Sequence, residues 1–281
     1  MFGKDKIEYK TTDQVRVMRR AGLVVADALA AVRAQAKPGL TTADLDAVAA
    51  EVIRSAGATP SFLGYDGYPA VLCVSVNDEI VHGIPGPRVL AAGDVVSVDC
   101  GAIIDGWHGD SALTLVLPDG DPLDLELADA TEDAMWAGIA ALASGGRLGE
   151  VGEAVEDCVD AAQAAGANGG VRYGVIQEYV GHGIGTAMHQ APDVLNYRTR
   201  DRGPRLRPGM CLAVEPMLVR GSRSTQVLED DWTVVTDDGS RAAHWEHSVA
   251  LLADGIWVLT AADGGAARLA ALGVTIAPLP D

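Results

Sequence analysis

The chain predicts an α+β fold of two pseudo-symmetric halves, with antiparallel sheet flanked by helices. Three observations carry that expectation. Helix-patterned and strand-patterned blocks alternate twice along the 281 residues. Short motifs of the first half return in the same order in the second. Matched acidic residues sit inside apolar, β-type runs, where an unpaired charge is costly.

The elements follow in order. Over residues 12–36, Val17, Met18, Ala21, Val24, Val25, Ala28, Leu29 and Val32 recur at helical spacing, and Lys37-Pro38-Gly39 stops the helix. Thr41 or Thr42 caps a second helix that runs to about Ala56, and Gly57 ends it. From Ala70 to Val116 the pattern changes to the short runs VLCVSV, VVSVDCGAIID and SALTLVL. Helical character returns over 123–143 and 150–165, and a second β-rich block fills 171–260. No low-complexity linker separates the blocks, so residues 1–281 are expected to form one domain, with a core from about 8 to 260 and a tail from 261 to 281.

The repeat is specific in its order. His82-Gly83-Ile84 returns as His182-Gly183-Ile184. The segment from Leu90 to Asp99 returns as Leu206 to Glu215, and Asp110-Ser111 returns as Glu246-His247-Ser248. The offsets lengthen from 100 to 116 to 136 residues, so the second half carries insertions. Two halves facing each other would line their interface with Asp99 matched to Glu215 and Asp110 matched to Glu246.

Composition narrows the function. Hydrophobic residues make up 48%, enough for a sizeable core. The N-terminus, MFGKDKIEYKTTDQVRVMRR, has no apolar segment of the signal-peptide kind. No apolar stretch approaches the roughly 18 residues of a membrane span. The expected protein is soluble and cytoplasmic, with no membrane partner. Cys73, Cys100, Cys158 and Cys211 form no CxxC pair, which argues against a disulfide scaffold or a zinc ribbon. The last three read as buried free thiols. A net charge of −18 disfavours DNA as a partner. Arg198, Arg200, Arg202, Arg205 and Arg207 cluster locally; a solvated loop is the favoured reading, ahead of a basic contact for an anionic partner.

The chemistry rests on five residues. The segment CGAIIDGWHG reads as a hairpin turning at Asp105-Gly106, which puts Asp99 and Asp110 on adjacent strands, roughly opposite each other. Two carboxylates that close, among Val95, Val96, Val98, Ile103 and Leu113, need a shared proton or cations. Glu215 lies in the apolar run CLAVEPML and Glu246 in WEHSVALL. His182 lies in YVGHGIG, where flanking glycines let a ligand approach the backbone. Four carboxylates supply about four negative charges, which two divalent ions balance, and one imidazole among oxygens suits Mn, Fe, Co or Zn. His82 and His189 are left for hydrogen bonding and proton transfer. His108, His244 and His247 read as structural or exposed.

The segments GYDGYP, SVNDEIVHGIPG, GDVVSVDCGAIIDGWHGDSALT, GHGIGTAMHQAP, LRPGMCLAVEP, DDWTVVT and EHSVAL, in this order, resemble the type I methionine aminopeptidases, within the larger group of pita-bread metallopeptidases. The resemblance spans about residues 8–260. It implies the pita-bread (creatinase/aminopeptidase) fold and removal of the initiator methionine from nascent proteins and peptides when the second residue is small. By resemblance, Asp99 chelates the second of two divalent ions, Asp110 and Glu246 bridge both, and His182 and Glu215 complete the first. A bridging water attacks the carbonyl and Glu215 accepts its proton. His189 stabilises the substrate oxygen and His82 assists the leaving side. Phe62, Tyr65, Tyr68, Cys73, Met188 and Trp232 form the methionine pocket. The implied partners are the N-terminal Met of substrates and, transiently, the ribosome, met by a monomer.

The chain departs from the family at three places. Asp66 stands where bacterial relatives usually carry His, Met188 stands where an aromatic is common, and the tail extends past the usual end, as a docking segment or a disordered one. Among other readings, an Xaa-Pro peptidase of the same superfamily normally carries an extra N-terminal domain, and about 60 residues before the site leave no room for one. A catalytically silent binding protein of this fold would lack metal ligands. A dinucleotide-binding loop fails on spacing, because Gly181-x-Gly183 is followed by Thr186 where a third glycine is required.

Overall fold

A computed structural model describes residues 6–144 and 146–279. Helix α1 (Thr12–Gln35) and helix α2 (Thr42–Ser55) both start in capping boxes. In each, a threonine hydroxyl, Thr11 or Thr41, accepts from the amide three residues on, and the side chain there, Gln14 or Asp44, accepts from the threonine amide. Thr41, not Thr42, is therefore the cap. Helices α3 (Pro122–Ser144) and α4 (Gly149–Ala164) form the second pair, and α5 (Ala266–Ala271) lies in the tail.

The strands are β1 (Thr59–Pro60), β2 (Leu72–Val76), β3 (Glu79–Val81), β4 (Val95–Ile104), β5 (Trp107–Val116), β6 (Gly174–Val175), β7 (Gly181–Gly183) and β8 (Gln190–Val194). Then follow β9 (Cys211–Val214), β10 (Met217–Val219), β11 (Thr225–Val227), β12 (Val234–Thr236), β13 (Ala242–His244), β14 (Glu246–Leu252) and β15 (Gly255–Val258). Among the described residues, nine strands form one sheet along β1-β4-β5-β14-β9-β7-β8, with β2 joined to β4 and β15 to β14. Two three-stranded sheets, β13-β10-β6 and β11-β12-β3, complete the β structure.

The repeat is visible in this order. The β4–β5 hairpin of the first half adjoins the β14–β9 pair of the second, and the seam is the short β5–β14 ladder, Glu246 opposite Ala112 and His247 opposite Ser111. Two large apolar cores lie under the helix pairs. One packs Val25, Leu45, Ile53 and Val98 under α1 and α2. The other packs Met135, Ile139, Val155 and Val249 under α3 and α4. Helix α1 comes very close to the hairpin: a Cβ on Gly109 would lie 2.6 Å from the Gly22 nitrogen. The hairpin turns as expected, with Asp105 at φ 50° and Gly106 at φ 80°.

Two expectations change, for the tail and for Cys158. The tail folds back: Leu269 of α5 is buried in the second core, and the Ala277 amide donates to the Ile256 carbonyl at 3.0 Å. Its last two residues, 280 and 281, lie outside the described residues. The arginine-rich loop is solvated, as expected: Arg198, Arg200, Arg202, Arg205 and Arg207 are all exposed, and two of them pair with α4. Arg198 binds Glu156, Asp157 and Asp160 of α4, and Arg202 binds Glu150. Cys158 is only half-buried, whereas Cys73, Cys100 and Cys211 are buried, and all four are free thiols. Among the described residues, no helix is long and apolar enough to cross a membrane.

Candidate metal centre

Strands β4, β5, β14, β9 and β7 lie side by side in that order. Each brings one acidic or imidazole side chain to the same place. Asp99 lies in β4, Asp110 in β5, Glu246 opens β14, Glu215 directly follows β9, and His182 is the middle residue of β7. The register aligns Asp99 with Ala112 and Ala112 with Glu246. Asp110 pairs with Gly101, so Asp99 and Asp110 are diagonal neighbours rather than opposite one another. Their direct cross-strand partners, Ala112 and Gly101, are small and leave the carboxylates room to converge.

Burial makes this cluster unstable as four bare anions. It pushes the Asp99 carboxyl up to about 7 and Glu215 up to about 8. Asp110 and Glu246 are raised well above the usual range, by burial first and then by the neighbouring carboxylates. Asp99 Oδ1, Asp110 Oδ1 and Glu246 Oε1 are buried without a hydrogen-bond partner. His182 Nδ1 lies 3.0 Å from the Gly183 carbonyl, which can only accept, so Nδ1 carries the proton and Nε2 is a bare lone pair. That Nε2 lies 3.3 Å from Glu215 Oε1. Two acceptors facing each other in a buried site fit a cation between them.

The donor groups satisfy that requirement. Ligand atoms of Asp110, His182 and Glu246 lie within 4.8 Å of one another, as do those of Glu215, His244 and Glu246. The two sets share Glu246. Oxygen-rich sets with one nitrogen each suit borderline divalent ions of the Mn, Fe, Co and Zn kind.

His244 is the residue that sequence reasoning missed. It is buried, not exposed, and its Nε2 lies 3.6 Å from Glu215 Oε2. Its position two residues before Glu246 was the available signal, since side chains two apart in an extended segment share a face. His108 and His247 are the structural residues expected: His108 Nδ1 meets Ser61 Oγ at 3.0 Å, and His247 Nδ1 meets Thr260 Oγ1 at 2.8 Å.

A cavity of about 360 Å³ opens beside the cluster. All six expected pocket residues line it, with His82, His189, Asp99, Asp110, His182, Glu215 and Glu246. Phe62, Tyr68, Cys73 and Met188 form a buried apolar group against which Trp232 packs. The Tyr68 hydroxyl donates to the Leu72 and Gly83 carbonyls, each at 3.0 Å, so its ring offers the cavity an apolar face. Tyr65 is exposed at the mouth, where its hydroxyl meets His189 Nδ1 at 3.0 Å.

Both spare histidines are neutral near pH 7. Burial lowers His82 to about 4, and burial also lowers His189. His82 is held at φ 62°, an uncommon conformation for a residue with a Cβ, between the rings of Tyr179 and Trp232. His189 stacks edgewise on His182, ring centroids 4.3 Å apart. Asp66, the unusual rim residue, also lines the cavity, and its charge favours the protonated form of His189.

The sequence profile described as "Metallopeptidase family M24" matches residues 16–252. The chain belongs to metallopeptidase family M24. Among its M24 relatives, "Methionine aminopeptidase 1" of Mycobacterium tuberculosis is 49% identical over 259 residues, covering 92% of this chain and 96% of the relative. "Methionine aminopeptidase 1" of Bacillus subtilis is 42% identical, covering 89% and 98%. The crystal structure of the methionine aminopeptidase from Thermotoga maritima superposes with a TM-score of 0.85 at 39% identity, covering 91% of this chain and 99% of that one. The prolidase from Pyrococcus furiosus, at 18% identity and a TM-score of 0.68, shares the M24 fold alone.

Proposed function

We propose that this protein is a methionyl aminopeptidase. It removes the initiator methionine from nascent proteins and peptides whose second residue is small, using two divalent metal ions. One observation carries the reading: five adjacent strands converge four carboxylates and an imidazole on the wall of an apolar cavity. In this reading Asp99, Asp110, His182, Glu215 and Glu246 hold the ions. When bound, the ions supply Lewis-acid chemistry and make water a nucleophile near neutral pH.

The remaining work belongs to the chain. Phe62, Tyr65, Tyr68, Cys73, Met188 and Trp232 surround the methionine side chain, an unbranched thioether that packs well against sulfur and aromatic edges. Charged side chains would lose their hydration there. His189 receives the Tyr65 hydroxyl at Nδ1, which leaves its Nε2–H to donate to the substrate carbonyl oxygen as charge develops. His82, neutral and fixed in orientation, hydrogen-bonds the scissile amide. Glu215 accepts the proton of the attacking water.

Residues 1–281 act in this reading as one catalytic domain, with a core over about 8–260, carried by a cytoplasmic monomer. Initiator methionine is first presented at the ribosome exit, so a transient ribosome contact belongs to the same proposal.

The test is cleavage of Met-Ala-Ser after chelation and separate re-addition of Mn, Fe, Co and Zn. Chelation should abolish cleavage, and at least one metal should restore it. Met-Ala and Met-Gly peptides should be cut well, and Met-Lys and Met-Leu poorly. Full activity after chelation, or equal rates on both peptide sets, overturns the reading.

A further inference from the structure

We propose that His244 is a positioning residue of the metal centre: its Nε2–H holds one oxygen of Glu215, so that the other stays turned toward His182 and the ion. This rests on the metal reading above and assigns a sixth side chain to that centre.

The first observation is the surroundings of Glu215. Its carboxylate lies between two imidazoles, with Oε1 3.3 Å from His182 Nε2 and Oε2 3.6 Å from His244 Nε2. The two rings are not equivalent. His182 spends its proton on the Gly183 carbonyl, so its Nε2 can only accept, and an acceptor cannot hold a carboxylate. His244 Nε2 is buried, has no hydrogen-bond partner, and is free to carry the proton. At 3.6 Å the contact is slightly beyond hydrogen-bond length, and a small rotation of either side chain closes it.

The second observation is that the main chain of His244 is held on both sides. Its amide donates to the hydroxyls of Ser97 at 3.2 Å and Thr114 at 3.0 Å. Its carbonyl accepts from the Thr114 hydroxyl at 2.8 Å. The two hydroxyls are themselves 2.9 Å apart. On the other side, β13 pairs with β10, placing His244 opposite Met217. The Glu215 backbone is fixed as well, because its carbonyl accepts from Asn196 Nδ2 at 3.1 Å. A histidine whose main chain is anchored through two hydroxyls and a strand, facing a carboxylate anchored through its own main chain, is an outer contact of the kind that orients a metal ligand.

The experiment measures metal binding by the metal-free protein, titrated with Mn or Co in a calorimeter. His244→Leu, close in volume and unable to donate, should weaken binding by about 10–100-fold. His244→Gln, whose side-chain amide can reach the same oxygen, should stay within about threefold of the wild type. Circular dichroism checks that both variants fold. Wild-type affinity in His244→Leu overturns the proposal, and so does a loss in His244→Gln as large as in His244→Leu. Nitrogen-15 histidine NMR of the zinc-loaded wild type needs no variant. A His244 ring with its proton on Nε2 supports the positioning role, whereas a metal-bound Nε2 makes it a direct ligand and overturns it. Glu246→Ala is the control: if that variant also binds metal normally, the metal reading itself fails.

Discussion

Ser248 and Asp110 bind each other across the seam between the two halves. The Ser248 hydroxyl donates to the Asp110 carbonyl at 2.8 Å and accepts from the Asp110 amide at 3.2 Å. The Ser111 hydroxyl, one residue on, donates to the Glu246 carbonyl at 2.5 Å. Each half therefore uses a serine to hold the main chain of the other half's inner carboxylate. The β5–β14 ladder is short at this point, so the two hydroxyls stand in for missing ladder contacts.

Ser248→Ala should cost about 1–3 kcal/mol, because it leaves buried backbone groups of Asp110 short of a partner. Urea denaturation of the metal-free protein measures this. Metal affinity should fall as well, since Asp110 loses its backbone restraint. An unchanged urea midpoint together with unchanged metal binding would show that the clasp contributes nothing.

Metal-free protein should lose stability as pH rises above about 6.5. Asp99 and Glu215 titrate near 3.8 and 4.5 when unfolded, and are raised to about 7 and about 8 in the fold. Between these values the folded state holds protons that the unfolded chain has released. Below about pH 6.5 the buried histidines, kept neutral by the fold, oppose this trend; above it stability falls with increasing pH through about pH 8, and Asp110 and Glu246, also raised, extend the fall. Thermal melts of chelated protein across that range should show the decline, and saturating Mn should flatten it. A chelated melting temperature that climbs steadily from pH 6.5 to pH 8 contradicts the buried-carboxylate account.

Glu246→Gln separates charge from shape. The variant removes one of four mutually repelling carboxylates without opening a cavity. Peptidase activity should fall by at least about a hundredfold, because the glutamate shared by both donor sets is gone. The chelated variant should melt above the chelated wild type at pH 8 and close to it at pH 5, where the wild-type cluster is already protonated. Normal turnover by purified Glu246→Gln would remove Glu246 from the metal set.

Much of this was legible in the sequence because it is local or periodic. The α1 pattern from Val17 to Val32, the Asp105-Gly106 turn and the ordered repeat depend on spacing that any window of residues carries. The repeat even gives the outer pair, Asp99 with Glu215, and the inner pair, Asp110 with Glu246, as the strand order β4-β5-β14-β9 arranges them. What was hidden depends on distant partners. His244 looks like any strand histidine until β13 is laid beside Glu215. The register offset of Asp99 and Asp110 is set by the turn, not by the acidic residues themselves. The three α4 carboxylates that meet the exposed Arg198 lie about 40 residues away in sequence.

Glu8 reaches the site through the loop that carries Met188 and His189. Its Oε1 accepts from the Thr186 hydroxyl at 2.7 Å, and its Oε2 accepts from the Thr186 amide at 3.1 Å and from Gln190 Nε2 at 2.9 Å. The nearly buried Lys10 ammonium lies 3.4 Å from the same carboxylate. Burial opposes ionisation of Glu8, yet the Gln190 and Thr186 bonds outweigh it and hold the carboxyl down to about 2. This Glu8 strap therefore stays charged and bonded to the loop near neutral pH. A Cβ on Gly185 would lie 2.1 Å from Glu8 Oε2, so the loop and the strap touch with no room to spare. Glu8→Ala releases one side of that loop while leaving every candidate metal ligand in place. Stability should drop by about 1 kcal/mol, the order of a few partly exposed hydrogen bonds. The larger effect should be on kcat for Met-Ala-Ser, because His189 loses the restraint on its neighbours, while calorimetric metal affinity stays near wild type. Equal losses of metal affinity and kcat would place the strap's influence on the metal cluster instead of on His189.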